Sequence, residues 1–355
     1  MNRAARMGWC GLLAAATLAL VLIAARASAS EGRAVWIHAG MFSTDEGKAR
    51  AEVVELLTAY RATGLNTLYC FDSLMAQHRK GWDFLAVLVD EAHRRGMTVH
   101  PVIYPGHNVR LEGEIREHPE WLIRGMKGEI YPNLNLASPG ARALVLREIA
   151  GALGHGVDGI HLDYIRFPVN QNFSYDAETI WAFRKEFGQS PLEGAHDSGS
   201  MIWCEWIKWN AAQVTTLVKA VRQLLANSGK TAVLSAAVFP DRGIAPVEIG
   251  QDWARWAEDG LVDVLCPMLY TSDAGLFRVY VKEAVRVAKG RARVYAGIAC
   301  ASSHNKNTPD GGVQEVAIAR EEGADGVAFF SGYSLGPEFR TALASTVFGK
   351  EPQRR

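Results

Sequence analysis

The sequence predicts an α/β fold: a single (β/α)8 TIM barrel with long loops after strands 3 and 4. Eight apolar, strand-like segments alternate with helix-like segments along the chain, and strict alternation implies that the strands pair in parallel. About 325 of the 355 residues follow the N-terminal segment, and one such barrel accommodates that length. No Pro-, Ser- or Gly-rich linker divides the chain, so we predict one domain.

The N-terminal residues 1–30 are predicted to be a secretion signal. Arg3 and Arg6 precede an apolar run over residues 11–25, and small residues follow at 27–29. This is the charge, core and cleavage-site layout of a signal peptide. The run is too short and poorly flanked for a comfortable membrane span, although retention as an N-terminal anchor stays open. We therefore expect an exported protein, periplasmic or extracellular, that meets a membrane only through this segment if it is not cleaved.

Composition argues against nucleic acid as a partner. The chain has 38 Lys and Arg against 38 Asp and Glu, and residues 1–30 hold three arginines and no acids, so the remainder carries 35 − 38, about −3. No basic run is present to follow a phosphate backbone. Four cysteines remain, and three of them lie in apolar strand-like runs. Buried free thiols are the prediction, with a Cys266–Cys300 disulfide as the alternative that export would permit.

The predicted barrel domain covers residues 31–347, and residues 348–355 are predicted to be a disordered tail. Strands are predicted at 33–38, 66–71, 98–104, 159–162, 232–239, 262–267, 293–299 and 326–330. Helices are predicted at 48–63, 83–95, 141–153, 201–227, 249–259, 276–288 and 313–322. Ser138 followed by Pro139 marks the start of the third helix, because Ser is a favoured N-cap and Pro suits the first helical position.

A weak repeat marks the starts of three strands. Segments 156–158, 260–263 and 323–325 each place a Gly and then an Asp before a strand. The Gly suits the end of a helix and the Asp suits the turn that follows. These segments are expected at the bottom of the barrel, the end associated with stability.

Asp163 directly follows the fourth predicted strand and is the most informative residue of the chain. Parallel strands are covered on both faces and are normally apolar, whereas ligands bind at their C-terminal ends. Asp158, at the start of the same strand, is about 16 Å away. Its side chain also points to the opposite face, because side chains alternate along a strand. We therefore assign Asp158 to structure and Asp163 to function.

The other candidate site residues follow the ends of the predicted strands. The carboxylates that could assist Asp163 are Asp72, Asp241 and Asp273. The candidates for substrate binding are His38, Tyr104, His161, Tyr164, Arg166, Tyr270 and Tyr333. Such a rim suits stacking and hydrogen bonding to sugar rings.

Two long connections, residues 105–137 and 164–200, are rich in aromatic and Asn side chains. Long loops in compact domains are commonly functional, so these are expected to wall an elongated cleft. In the helix that follows, Trp203, Trp206 and Trp209 lie along one face. Packing against the barrel is the favoured interpretation, and a sugar platform is the alternative.

Glycoside hydrolysis fits these residues best. It needs a proton donor to the leaving oxygen and a second carboxylate, or a substrate N-acetyl group, on the opposite face. Asp163 is the best-placed first carboxylate, and the sequence does not choose its partner. His38, His100 and His161 lie on different strands, but the strands where an amidohydrolase-like site needs further His offer none, so no catalytic metal and no other cofactor is expected.

At these residues the chain resembles the glycosyl-hydrolase-like family 10 proteins, exported bacterial TIM-barrel proteins related to glycosidases. The motifs that carry the resemblance are DGIHLDYIRFP at 158–168, HPEWL at 118–122, GQDWARW at 250–256 and VDVLCPMLY at 262–270. The resemblance implies a barrel, a polysaccharide substrate and hydrolysis of a glycosidic bond, with peptidoglycan glycan strands as the substrate of some members. It also implies that Asp163 is the acid of strand four. After strand two, Phe71 leads to Trp82 without the longer loop expected of the family.

The sequence therefore predicts a glycosidase that acts on a bacterial envelope or extracellular polysaccharide. The alternative is a non-catalytic carbohydrate-binding barrel in the cell envelope. That alternative would keep the aromatic rim and would lack a second acid within reach of Asp163. The sequence makes no prediction about the oligomeric state.

Overall fold

Eight parallel strands close into a barrel, as the sequence predicts. The computed structural model describes residues 30–71, 81–107, 109, 111–303 and 305–349. Around the barrel, the order of the strands within these residues is β1-β2-β3-β6-β7-β8-β9-β10, and β4 and β5 form a separate antiparallel hairpin. The strands are β1 (Gly32–His38), β2 (Thr67–Phe71), β3 (Thr98–Ile103), β4 (Leu122–Arg124), β5 (Ile130–Leu134), β6 (Gly159–Leu162), β7 (Val233–Val238), β8 (Val264–Pro267), β9 (Arg293–Ala299) and β10 (Gly326–Phe330).

Most helices begin where the sequence offers a short polar side chain as a cap. Asp45, Asp83, Ser138, Asp176 and Ser200 each accept a backbone N–H from the first turn of the helix that follows, which satisfies a donor that the helix itself cannot. The helices are α1 (Glu46–Thr63), α2 (Phe84–His93), α3 (Gly113–Glu117), α4 (Pro139–Leu153), α5 (Ala177–Phe187), α6 (Met201–Asn227), α7 (Ile244–Ile249), α8 (Trp253–Glu258), α9 (Ala274–Ala288), α10 (Pro309–Glu321) and α11 (Pro337–Leu343).

Two predictions about boundaries are corrected. The helix predicted at 249–259 is two short helices, α7 and α8, because Gly250 takes a left-handed φ of +70° and Asp252 caps a new start. Phe348, predicted to begin the tail, is buried in a final turn (Ala344–Phe348) and contacts Phe329. Residues 1–29 and 350–355, which hold nearly all of the predicted signal and tail, lie outside the described residues.

The long connections after β3 and β6 are present and contain structure of their own. The first carries α3 and the β4–β5 hairpin, and the second carries α5. Trp203, Trp206 and Trp209 are buried on α6, where Trp206 packs against Phe173 and Phe183 of the second connection. The packing interpretation of these tryptophans is therefore confirmed.

Cys266 and Cys300, the pair predicted as the alternative, are buried free thiols; Cys204 is a free, exposed thiol, and Cys70 is buried. Among the described residues, no helix has the length and apolar character needed to cross a bilayer.

The interior of the barrel contains a neutral polar network. Trp36 Nε1 donates to His161 Nε2 at 3.1 Å, so the ring proton of a neutral His161 is on Nδ1, which lies 2.8 Å from Ser235 Oγ. Ser235 in turn donates to the carbonyl of Ile160. Burial holds the pKa of His161 well below its usual value, so the imidazole stays uncharged and every polar group in this chain of contacts has a partner.

At the bottom of the barrel, every second strand is tied to one neighbouring strand. The tie is a hydrogen bond from a backbone N–H of the neighbour to one side-chain oxygen. Asp158 Oδ2 accepts the backbone N–H of Val99, and Asp263 Oδ2 accepts that of Leu234. The same contact joins Asp325 to β9 and Asn66 to β1, at the N–H groups of Val294 and Arg33. In all four cases the side chain precedes its strand by one residue and binds the second residue of the neighbouring strand. The structural role predicted for Asp158 is confirmed, and the pattern extends to Asn66.

Replacing Asp158 with Ala is expected to lower the free energy of unfolding by about 1–3 kcal/mol, because the substitution leaves the N–H of Val99 without its side-chain acceptor. Urea unfolding measures the change. Asp90→Ala on α2 is the matched control, since it breaks only an exposed ion pair to Arg94 and should cost less than about 0.5 kcal/mol. Equal effects of the two substitutions would contradict the assignment.

Candidate active site

A cavity of about 1330 Å³ opens at the C-terminal ends of the barrel strands. This is the end of the barrel where enzymes of this architecture hold their active sites. Residues that follow all eight barrel strands contribute to its lining. They include His38, Phe71, Tyr104, His107, Asp163, Tyr164, Arg166, Phe239, Asp241, Tyr270, Ser302, Phe330 and Tyr333.

Asp163 lies in the wall of this cavity and is 5% exposed. Its Oδ1 accepts the backbone N–H of Tyr164 at 2.6 Å and lies 3.7 Å from Nη1 of Arg166. Burial raises the pKa of Asp163, while the charge of Arg166 and the Tyr164 N–H oppose that rise. The result is a carboxyl group that keeps its proton to a higher pH than an ordinary Asp, which is the property of a general acid.

The turn that carries Asp163 is held in a left-handed conformation. Tyr164 has φ = +45°, which costs on the order of 1–3 kcal/mol for a residue with a side chain and persists only where contacts enforce it. Gly106, in the connection after β3, donates its N–H to the carbonyl of Tyr164 at 3.0 Å. A Cβ at Gly106 would overlap the carbonyl oxygens of Tyr164 and Arg166. Asn133 at the end of the hairpin donates to the Gly106 carbonyl at 2.7 Å, so the first long connection supports the second.

The ring of Tyr164 is stacked between two groups. The imidazole of His107 is parallel to it at 4.1 Å, and the guanidinium of Arg166 lies 4.0 Å from its centre. A ring has one stacked position on each face at such a distance, so His107 and Arg166 occupy the two faces. Tyr164 was predicted to bind substrate. Because both faces of the Tyr164 ring are covered, only its edge and its hydroxyl can contact substrate. The ring faces instead position Arg166.

Arg166 is 7% exposed and its Nη1 has no hydrogen-bond partner. The guanidinium is held by the rings of Tyr164 and Phe239 and by its attraction to Asp163. Burial lowers the pKa of Arg166 and Asp163 raises it. Arginine stays protonated under such conditions, so a fixed positive charge stands beside the buried acid.

The candidates for a second carboxylate have different positions. Asp241 lines the cavity and accepts the N–H groups of Gly243 and Ile244 at 2.7 and 3.0 Å. Asp273 is exposed, is not part of the lining, and caps α9 through the N–H groups of Gly275 and Leu276. Asp72 lies outside the described residues. Among the described acids, the lining therefore brings together Asp163 and Asp241, and the prediction for Asp273 is not supported because its carboxylate is a helix cap.

Aromatic side chains form the rim on the β10–β1–β2 side. His38 stacks on Phe71 at 4.4 Å and lies 5.3 Å from Tyr333, and burial lowers the pKa of His38. Tyr333 is 62% exposed at the mouth, so it offers a ring to an entering sugar. Tyr104 continues this rim against Phe71 at 5.5 Å. The structure thus brings His38, Tyr104 and Tyr333, all predicted from sequence, to one cavity.

Tyr270 follows β8 and stacks on Phe330 of β10 at 5.4 Å. Burial and the neighbouring Asp163 hold the pKa of Tyr270 well above its usual value, so its hydroxyl remains a neutral hydrogen-bond donor. His161 differs from its prediction, because it is fully buried in the barrel interior and does not line the cavity. It lies beneath Asp163, too deep to touch substrate.

Sequence reasoning did not select His107, Phe239 or Phe330, which also line the cavity. Phe239 directly follows β7, Phe330 ends β10 and His107 lies four residues after β3, and these positions were the available signal. In the part of the chain that the structure describes, no group of three or more His, Cys, Asp or Glu side chains is arranged to hold a metal ion.

Sequence comparison relates this chain to hydrolases. Residues 71–310 match the family described as glycosyl hydrolase-like 10. The chain is 26% identical over 282 residues to glycosyl hydrolase DigH of Escherichia coli K12, covering 66% of this chain and 59% of DigH. It is 20% identical over 220 residues to glycosyl hydrolase YngK of Bacillus subtilis 168, covering 54% of this chain and 39% of YngK. The chain thus spans less than two thirds of the length of either relative.

Solved structures share the fold. The glycoside hydrolase domain of PgaB (BpsB) from Bordetella bronchiseptica has a TM-score of 0.71 at 13% identity, covering 90% of this chain and 99% of that domain. The catalytic domain of a β-amylase from Paenibacillus polymyxa has a TM-score of 0.62 at 11% identity, with the same coverage. At these identities the likeness is one of fold.

Substituting Gly106 with Ala is expected to release the turn at Tyr164, because the added methyl group overlaps two carbonyl oxygens of that turn. We expect a loss of about 1–3 kcal/mol in stability and faster hydrogen exchange at the amides of residues 164–167. Gly336→Ala is the control, since a Cβ there meets nothing within 4 Å. Unchanged exchange in the Gly106 variant would contradict the proposed support.

Proposed function

Because the chain belongs to the glycosyl hydrolase-like 10 family, we propose that it is a glycoside hydrolase acting on a bacterial envelope or extracellular polysaccharide. Peptidoglycan glycan strands or another amino-sugar polymer are the proposed substrates. The observation that carries the proposal is the buried Asp163 with its raised pKa, at the C-terminal end of a barrel strand and in one cavity with Asp241. This chemistry needs a proton donor and either a second carboxylate or a substrate N-acetyl group, and the cavity offers Asp163 for the first role and Asp241 for the second.

In the proposed reaction, protonated Asp163 donates its proton to the glycosidic oxygen as the bond from that oxygen to the anomeric carbon breaks. The Asp163 carboxylate that results is stabilised by Arg166, 3.7 Å away. Positive charge develops on the sugar ring at the same time. Asp241, or the carbonyl of a substrate N-acetyl group, stabilises that positive charge from the opposite face of the sugar ring. Water then completes the hydrolysis. Arg166 thus limits how far the pKa of Asp163 rises and also favours proton release.

The rim supplies binding for successive sugars. Tyr333 presents an exposed ring for stacking, and Tyr270 and Tyr104 present hydroxyls inside the cavity. A volume of about 1330 Å³ exceeds the roughly 300–1,000 Å³ of an ordinary small-molecule pocket, which suits more than one sugar unit. With the predicted signal at residues 1–30, we place this activity in the periplasm or outside the cell.

Asp163→Asn is expected to lower turnover by about 10²–10⁴-fold, because the amide has no proton to donate. The amide oxygen can still accept the Tyr164 N–H, so the melting temperature should stay within a few degrees of wild type. The assay is release of reducing ends from purified peptidoglycan strands and a panel of amino-sugar polymers.

Asp273→Asn is the matched control, since Asn caps a helix as well as Asp does and activity should be retained. Asp241→Asn should reduce turnover if Asp241 is the second carboxylate, and should leave it nearly unchanged if the substrate supplies that group. Wild-type activity in Asp163→Asn would remove the central assignment. Tight sugar binding without turnover in the wild-type protein would favour a non-catalytic carbohydrate-binding barrel.

Arg166→Met is expected to shift the pH profile. Removing the positive charge lets the pKa of Asp163 rise further, because the charge of Arg166 opposes the rise that burial causes. A general acid works below its pKa, so the alkaline limb of kcat/KM should move to higher pH. Arg242→Met, which breaks an exposed pair to Glu283, should leave the profile in place. A shift of the acidic limb instead would identify Asp163 as a base or nucleophile.

A further inference from the structure

One wall of the cavity is made of aliphatic side chains that remain exposed. Val169, Ile244 and Leu276 line the cavity and are 50%, 52% and 41% exposed. They follow β6, β7 and β8, which are consecutive strands around the barrel. These three residues are the exposed aliphatic side chains of the lining on this side, here called the aliphatic wall, and the first of them lies six residues after Asp163. The lining on this side also includes Phe239, Leu269 and Tyr280.

The apolar surface continues outward from the cavity. Val247 and Val279 lie one turn beyond Ile244 and Leu276 on α7 and α9 and are 41% and 61% exposed. An ion pair of 2.6 Å between Arg242 and Glu283 ties the start of α7 to α9, so the two helices present these side chains together. Contiguous exposed apolar surface of this kind marks a binding site, whereas single exposed residues are ordinary.

The aliphatic wall differs from the surface that sugars use. On the β10–β1–β2 side the cavity offers His38, Phe71 and Tyr333, whose flat rings and polar atoms match a sugar. Branched aliphatic side chains supply neither a stacking face nor a hydrogen bond, and they gain free energy mainly by covering other apolar surface. These aliphatic side chains therefore add a second kind of chemistry to a cavity side that also holds Asp163, Asp241 and Tyr270.

We propose that this wall is a subsite for an alkyl or acyl chain covalently attached to the sugar, so that the substrate is an amphiphilic glycoside or an acylated glycan. This proposal rests on the proposed function, because the sugar must reach Asp163 while the chain lies along Val169, Ile244 and Leu276. The continuity of the wall with the cavity that holds Asp163 favours a part of the substrate over any other occupant.

The test is a chain-length series of n-alkyl N-acetyl-β-D-glucosaminides, with methyl, butyl and octyl groups, each kept below its micelle concentration. Binding is measured by calorimetric titration to the full-length Asp163→Asn protein, in which turnover is blocked. Each methylene that becomes fully buried tightens binding by up to about fourfold. We expect the octyl compound to bind at least about tenfold more tightly than the methyl compound.

Ile244→Ser and Leu276→Ser should each weaken octyl binding by about threefold or more and leave methyl binding unchanged. Val54→Ser is the matched control, because Val54 is a 38% exposed aliphatic on α1 that does not line the cavity. Equal affinities for methyl and octyl compounds would overturn the subsite, whatever the turnover of the wild-type enzyme.

Two further results separate the alternatives. Equal binding of octanol and the octyl glycoside would support the apolar subsite and count against the proposed sugar site. A flat chain-length series, together with loss of dimerisation or of binding to phospholipid vesicles in Ile244→Ser, would assign the wall to a second copy of the chain or to a membrane and overturn the proposal.

Discussion

The burial of an acid beside a fixed positive charge governs the architecture of the site. Asp163 and Arg166 are both withdrawn from water, and such a pair is costly unless its geometry is fixed and its remaining contacts are satisfied. The required contacts come from outside the strand that carries them. Three contacts fix Asp163, Tyr164 and Arg166. They are the bond from the Tyr164 N–H to Asp163, the stack of His107 on Tyr164, and the bond from Gly106 to the Tyr164 carbonyl. The long connection after β3 therefore supports the turn that carries Asp163 and also contributes to the wall of the cleft.

The same side chain has two uses at the two ends of the barrel. At the bottom, Asp158, Asp263 and Asp325 accept backbone N–H groups and fix the register of neighbouring strands. At the top, Asp163 faces a cavity and its pKa is raised by burial. The physical difference is the strand polarity, since N–H groups without partners lie at the bottom and loops that can enclose a cavity lie at the top. A carboxylate that starts a strand thus holds the scaffold, whereas Asp163, which follows the end of a strand, faces the cavity.

The sequence predicted the strands closely, because each is a short apolar run bounded by Gly, Pro or Asp, which are local signals. It also predicted the position of Asp163 at the C-terminal end of the barrel, because an acid that follows a buried strand is unusual in an apolar core. It misplaced His161 for a geometric reason. His161 and Asp163 are two residues apart and point the same way, so the pattern gave the direction of both side chains and not their depth. Trp36 and His38 repeat this relation, with Trp36 buried and His38 in the cavity wall. The stacking of Tyr164 and the approach of Gly106 depend on loops distant in sequence, which no local pattern encodes.

The ties at the base of the barrel group the strands into pairs: β1 with β2, β3 with β6, β7 with β8 and β9 with β10. Each of these four bonds from a side-chain oxygen to a backbone N–H lies within a pair. The molecule is thus organised as four two-strand quarters whose internal fastening is independent of the others. New chain ends opened between two quarters, such as between α6 and β7, would leave every tie intact. Ends opened inside a quarter would place the two residues of one tie at opposite termini. With respect to these ties, the barrel consists of four two-strand units and not of eight single-strand units.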